Sequence, residues 1–296
     1  MAQNPALRAL GFDPQDRVVI VHVDDVGMCG ATVDAFVELS EHGLASSGSV
    51  MVPCPGFAEA AERCRGREDL DVGVHLTLTS EWDGLRWGPV STCDGVTGLL
   101  DDDGCFYRNQ SRWGVVDRAA LLREVDAQVD RALDAGIDVT HIDCHMFAAL
   151  HDALAEDYVA LGFTRRTPVL MTREIGWLAA LSERRIAAWE ADGLAVFDDQ
   201  VGMPLRGPTA DWLDRAKRLF DELPAGLTYL IIHPAADTPE LRSIALDWRQ
   251  RVADFETFRS AELARHVRAL GIQVVGWRPF ADLMRTPGST VTTQRG

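Results

Sequence analysis

The chain has 296 residues, 47% of them hydrophobic and 25% charged, the mix of a globular protein with a sizeable core. A formal net charge of −16, from 29 basic and 45 acidic residues, repels phosphate backbones and anionic lipid, which excludes nucleic acid and membrane surfaces as expected partners. No apolar run nears the ~20 residues of a membrane helix, no secretion signal opens the chain, and six scattered cysteines without a C-x-x-C pair fit a reduced, cytoplasmic protein.

Strand-like apolar runs alternate with amphipathic helical stretches. RVVIVHV, residues 17 to 23, predicts the first strand, and a helix follows over 31 to 42, stopped by Gly43. LASSGSVMV carries a second strand, FAEAAERCRG a second helix, and DVGVHLTL a third strand. From 117 to 135, Leu121, Leu122, Val125, Val129 and Leu133 recur at helical spacing, and Gly136 ends that helix. DVTHIDCHM predicts the next strand and LAEDYVALGF a helix, with TPVLMTR, LAVFDD, LTYLIIHP and GIQVVGW as later strands. Such alternation means mostly parallel strands with helical crossovers, in a (β/α) barrel or a doubly wound sheet. No internal repeat or linker divides the chain. Residues 80 to 114 break the rhythm with many Gly and Asp and the aromatics Trp82, Trp87, Phe106, Tyr107 and Trp113. So long and aromatic a loop is expected to be ordered over a site. The tail over 287–296 carries no signal of structure.

The polar residues at strand ends carry the chemistry. Asp24 and Asp25 close the first strand, where ligands of α/β folds bind. Neighbouring strand side chains point to opposite faces, so both acids reach one site only if the chain turns there, which Gly27 permits. A bland alternative is a helix cap beside a solvated neighbour. His141, Asp143 and His145 alternate along one strand and share a face. Buried polar groups need partners, which a metal or a proton network supplies. His75 ends VGVH, and His233 closes YLIIH before Pro234; each alone reads as well as a hydrogen-bonded core histidine. His22 shares parity with Asp24, but packing is its expected role. Together, four strand ends bearing Asp or His suit zinc or a similar first-row ion with a position open for water, whose pKa falls to ~7 on zinc. A carboxylate off the metal can take that water's proton, and a histidine opposite can protonate a leaving amine. These are the parts for metal-assisted amide hydrolysis.

VHVDDVGM, GVHLTLT, THIDCH and IIHPA, in that order and spacing, resemble the YdjC-like family of carbohydrate deacetylases, which includes the chitooligosaccharide deacetylases. The resemblance runs from about Val18 to about Pro279 and takes in the WGPVS and DDDGCF stretches and the WRQR segment. It implies a distorted (β/α) barrel, with residues 1–286 as a single metal-dependent deacetylase domain. Carried over, Asp24 is the catalytic base, His233 the general acid, and Asp25, His75 and His145 hold one divalent ion. Zinc is the expected ion, with magnesium or cobalt as alternatives. His141 and Asp143 fall behind the ligands and orient them. Trp82, Trp87, Trp113 and Phe147 are the expected substrate contacts. Family members often continue past H-x-D-x-H with further histidines, where this chain has Phe147 and Ala149. The usual Asn-Ala before the acid pair is here His22-Val23. The implied partner is a small acetylated sugar, with a homodimer left open. A metal hydrolase of O-acyl esters or other small amides, and a non-catalytic carbohydrate-binding relative, are the competing readings.

Overall fold

The computed structural model describes residues 3–111, 116–150, 154–173 and 183–286. Trp113, His151 and the tail therefore lie outside the described residues. Among the described residues seven strands follow in chain order: β1 (Arg17–Val26), β2 (Ser47–Val50), β3 (Val72–Leu76), β4 (Val139–Cys144), β5 (Asp199–Gly202), β6 (Gly226–Ile232) and β7 (Gln273–Val274). They lie in the order β4-β3-β2-β1-β6-β5, with β7 against the start of β1. Every pairing between these strands is parallel. The free edges of β4 and β5 approach each other through single bridges, Ile142 to Val169 and Thr172 to Phe197. The Ile142 amide donates to the Pro168 carbonyl at 2.9 Å and the Phe197 amide to the Met171 carbonyl at 2.8 Å. The sheet thus curls round as a distorted barrel.

β1 is central because it can be buried on both faces. Val18, Val19, Ile20, Val21 and Val23 all lie at 1% exposure or less, the continuous apolar run that parallel strands covered by helices require. Each such side chain contributes about 1.5–3 kcal/mol of transfer free energy. The helix Arg118–Asp134 shows how the outer layer is specified. The Asp117 carboxylate caps it by accepting the Ala119 amide at 2.9 Å, and Leu121, Val125 and Val129 form its buried face.

Three expected strands are shorter than their apolar runs. TPVLMTR contributes only the two bridges, and LAVFDD one bridge at Phe197 before pairing shifts on to Asp199–Gly202. GIQVVGW pairs only at Gln273 and Val274. There the chain leaves the sheet to bring Trp277 under the barrel, where its ring stacks on His141 at 4.9 Å. His22 lies edge-on to His141 at 5.0 Å and stacked on Tyr229 at 4.9 Å, so the floor is a buried aromatic layer.

That layer depends on one small residue. A β-carbon on Gly73 would sit 2.4 Å from His141 Nε2, and the ring cannot retreat because Trp277 stacks on it. Gly73→Ala is expected to cost about 1–3 kcal/mol, the usual penalty for overpacking. Urea denaturation measures it, and an unchanged midpoint would mean that the floor yields.

Residues 80–111 are tied together and to the neighbouring helix by side-chain hydrogen bonds. Ser80 Oγ accepts from Arg86 Nε (3.1 Å) and from the Trp87 amide (3.0 Å), while Trp87 Nε1 donates to the Thr79 carbonyl at 2.7 Å. The helix Arg118–Asp134 clamps the loop from outside, its buried Glu124 accepting the Val90 and Ser91 amides. Among the described residues no helix is long and apolar enough to cross a membrane.

Candidate metal centre

The acid pair reaches one site through a turn at Asp25 itself rather than at Gly27 alone. Asp25 takes φ 62°, a conformation that strains most residues but that Asp tolerates better than most. The pairing of β1 with β2 slips between Val23 and Val26, the mark of a bulge. Gly27 follows at φ 85°, so two successive departures re-aim the chain. Asp24 and Asp25 consequently both face the barrel axis.

Asp25, His75 and His145 present ligand atoms that all lie within 4.8 Å of one another, and all three residues are buried. Asp25 Oδ1 is 3.1 Å from His145 Nδ1 and 3.5 Å from His75 Nε2. This donor set, one carboxylate and two imidazoles, could hold a divalent ion. The nitrogens turned away from the site support that reading, because each meets a carboxylate. His75 Nδ1 donates to Asp143 Oδ1 at 2.8 Å, and His145 Nε2 to Glu81 Oε1 at 2.8 Å. Histidines that bind metals are typically oriented in this way.

Two neighbouring trios, His22 with His141 and Asp143, and Asp24 with His75 and Asp143, are as close. Asp143 is already engaged by several donors, however. Besides His75 it accepts from Ser49 Oγ (2.9 Å), Tyr229 Oη (3.0 Å) and His22 Nε2 (2.9 Å). Three of these contacts fall on Oδ2 and one on Oδ1, so Asp143 acts as a hub that fixes ring orientations. Burial alone would raise its pKa, but the adjoining His75 and His22 hold it well below the carboxylate range.

Charge is managed around the centre. Burial disfavours ionised Asp25, yet Arg251 and the hydrogen bond from His145 hold its pKa well below the usual range. Arg251 Nη2 reaches Asp25 Oδ2 at 2.8 Å, and its Nε reaches Asp247 at 2.9 Å. Against the effect of burial, Glu81 and Asp25 raise His145 to about 9. Asp24 stands beside the trio with Oδ2 3.9 Å from His75 Nε2 and 3.7 Å from His233 Nε2. Its Oδ1 is buried without a hydrogen bond, the nearest donor being His22 Nε2 at 3.4 Å. Burial pushes Asp24 up to about 6 and His233 down to about 3. His233 is held through its backbone amide, which donates to Asp254 at 2.9 Å, while its Nδ1 is buried without a partner.

Several expected residues sit elsewhere. His141 lies in the layer below, bonded to Thr140 Oγ1 at 3.0 Å, stacked on Trp277 and edge-on to His22. His22 does more than pack: it links Asp143 to Ser47 and lies beside Asp24. Trp87 cannot stack a sugar, because it is 3% exposed and set edge-on to His145 at 6.2 Å. Trp82 is half-buried beneath the Arg251 guanidinium at 5.4 Å. Phe147 is half-buried against the core, and Ala149 lines a cavity between helices with Leu122, Val125 and Tyr158, a lining that includes none of Asp24, Asp25, His75 and His145. The sequence reasoning missed Glu81 and the role of Arg251. An acid just past the His75 strand, and the WRQR segment itself, were the available signals.

The chain is 33% identical over 255 residues to a protein of Thermus thermophilus named carbohydrate deacetylase, covering 84% of this chain and 89% of that one. A Listeria monocytogenes protein of the same name is 26% identical over 273 residues, covering 88% and 98%. Among solved structures, an Enterococcus faecalis protein described as a candidate cellobiose-phosphate cleavage protein shares the fold, with TM-score 0.73 at 21% identity, covering 88% and 98%. The family model for YdjC-like proteins matches residues 18–269. The chain belongs to the YdjC-like family.

Proposed function

We propose that the chain is a metal-dependent hydrolase that removes the acetyl group from an N-acetylated amino sugar or amino-sugar conjugate. The observation that carries this reading is the buried trio Asp25, His75 and His145 with Asp24 beside it, off the ligand set yet facing the same space. The relatives named carbohydrate deacetylases support a sugar substrate and the removal of an acetyl group. A bound divalent ion, zinc by preference and magnesium or cobalt otherwise, would polarise the acetyl carbonyl and lower the pKa of water. Asp24 then accepts the proton of the attacking water, standing 3.9 Å from His75 Nε2 and outside the trio. His233 rests neutral, so it must gain a proton before giving one to the leaving amine. Asp24 Oδ2, 3.7 Å from its Nε2, is in position to pass that proton on. We take residues 1–286 as one catalytic domain working in the cytoplasm.

Acetate release from a panel of acetylated amino sugars, with zinc and after chelation, tests the reading. The panel should include diacetylchitobiose, alkyl glycosides of N-acetylglucosamine and matched O-acetyl esters. We expect release from the amides that chelation abolishes. Release from the esters alone would replace the proposal with an O-acyl hydrolase, which the same residues could serve.

A further inference from the structure

Of the two imidazoles in the trio, only one is held by the barrel. His75 lies within β3, paired with Asp143 of β4, whose carboxylate orients its ring. His145 has already left β4, and the residues after it, Met146 and Phe147, take φ of 53° and 52°. No sheet pairing fixes its ring. Its polar contacts are Asp25 at Nδ1 and Glu81 at Nε2.

Glu81 comes from the long loop, and its placement is built. Trp87 Nε1 anchors the Thr79 carbonyl just before it, and the Ser80 amide donates to the Tyr107 carbonyl at 3.0 Å. Arg108 Nη1 donates to the carbonyls of Glu81 (3.0 Å) and Trp82 (3.3 Å). Trp87 also lies edge-on to the His145 ring. The loop thus delivers one carboxylate and one aromatic wall to the same imidazole. We infer that Glu81 is the positioning residue of His145: it accepts the Nε2 hydrogen and so presents Nδ1 to the ion beside Asp25. This rests on the proposed metal site. By this inference the loop over residues 80–111 completes the metal centre, in addition to any contact with substrate.

Binding of zinc and of cobalt, each alone, to the full chain tests the inference by chelator competition and by the visible bands of bound cobalt. Glu81→Ala should weaken both ions about 10- to 100-fold, the usual effect of removing a group that orients a ligand histidine. Glu81→Gln keeps an oxygen acceptor at the same reach, so it should recover most of the affinity and the wild-type cobalt spectrum. Unchanged affinity in Glu81→Ala would overturn the inference while leaving the metal site intact. A loss in both variants as severe as that of Asp25→Ala would also overturn it, since Glu81 would then be a ligand itself. Failure of the wild type to bind either ion would remove the metal site and Glu81's role together.

Discussion

Asp25→Ala is expected to lose tight metal binding and, with it, measurable acetate release. The carboxylate is the only anionic member of the trio, and its Oδ1 lies between the two imidazoles, 3.1 Å from one and 3.5 Å from the other. Loss of a direct ligand should exceed the ~10- to 100-fold typical of an orienting partner. The substitution also strips Arg251 of one of its two carboxylates while leaving that guanidinium 2% exposed. Breaking a buried pair from one side costs about 3–5 kcal/mol, and Asp247 should hold this case to the lower end. Asp25→Asn preserves the volume and an oxygen for Arg251, so it separates metal loss from misfolding. Metal content by elemental analysis and the melting temperature of the metal-free protein are the two readings. A folded Asp25→Asn that still carries one ion per chain would remove Asp25 from the ligand set.

Parts of this site could be read from residue order alone, and parts could not. The run Val18 to Val23 announces a strand buried on both faces, and strand ends in such folds meet at one rim. His75 and the alternation of His141, Asp143 and His145 follow directly from that rule. Alternation gives a face but not a depth. It puts His141 on the same side as Asp143 yet cannot say that Trp277 arrives later in the chain to seal it into the floor. The acid pair was the harder case, because strand parity sends Asp24 and Asp25 apart. Only the left-handed turn at Asp25 reunites them, and non-glycine residues rarely signal such a turn. The loop was recognisable by its length and aromatics, but those aromatics drew attention to substrate. Aromatic size is equally consistent with a buried wall, which is what Trp87 provides. Glu81 and Arg251 meet the site through contacts 64 and 226 residues away in the chain, His145 with Glu81 and Arg251 with Asp25, and no local pattern encodes those distances.

Asp24→Asn should keep the ion and the fold while losing hydrolysis about 100- to 10,000-fold, the range for removal of a general base. The amide occupies the same space and leaves Asp25, His75 and His145 untouched. What it lacks is a basic oxygen next to His233. The same substitution makes an opposite prediction for stability, and the sign follows from linkage. An exposed Asp titrates near ~3.9, whereas burial holds Asp24 at about 6 in the folded, metal-free chain. Below pH 4 the group is protonated in both states and costs nothing. As pH rises from ~4 to about 6, the unfolded chain ionises this carboxylate while the buried one stays protonated, and stability falls by roughly 1.36 kcal/mol for each unit of difference before levelling off. Metal-free Asp24→Asn should therefore be more stable than the wild type at pH 8, by on the order of 2–3 kcal/mol, with the gap closing below pH 4. Denaturation of both proteins in chelator across that pH range measures the gap, and single-turnover assays with zinc measure the rate. A base held at the expense of stability requires both results. Near-normal turnover in the variant would move the proton acceptor elsewhere, and equal stability at pH 8 would mean that Asp24 is solvated rather than poised.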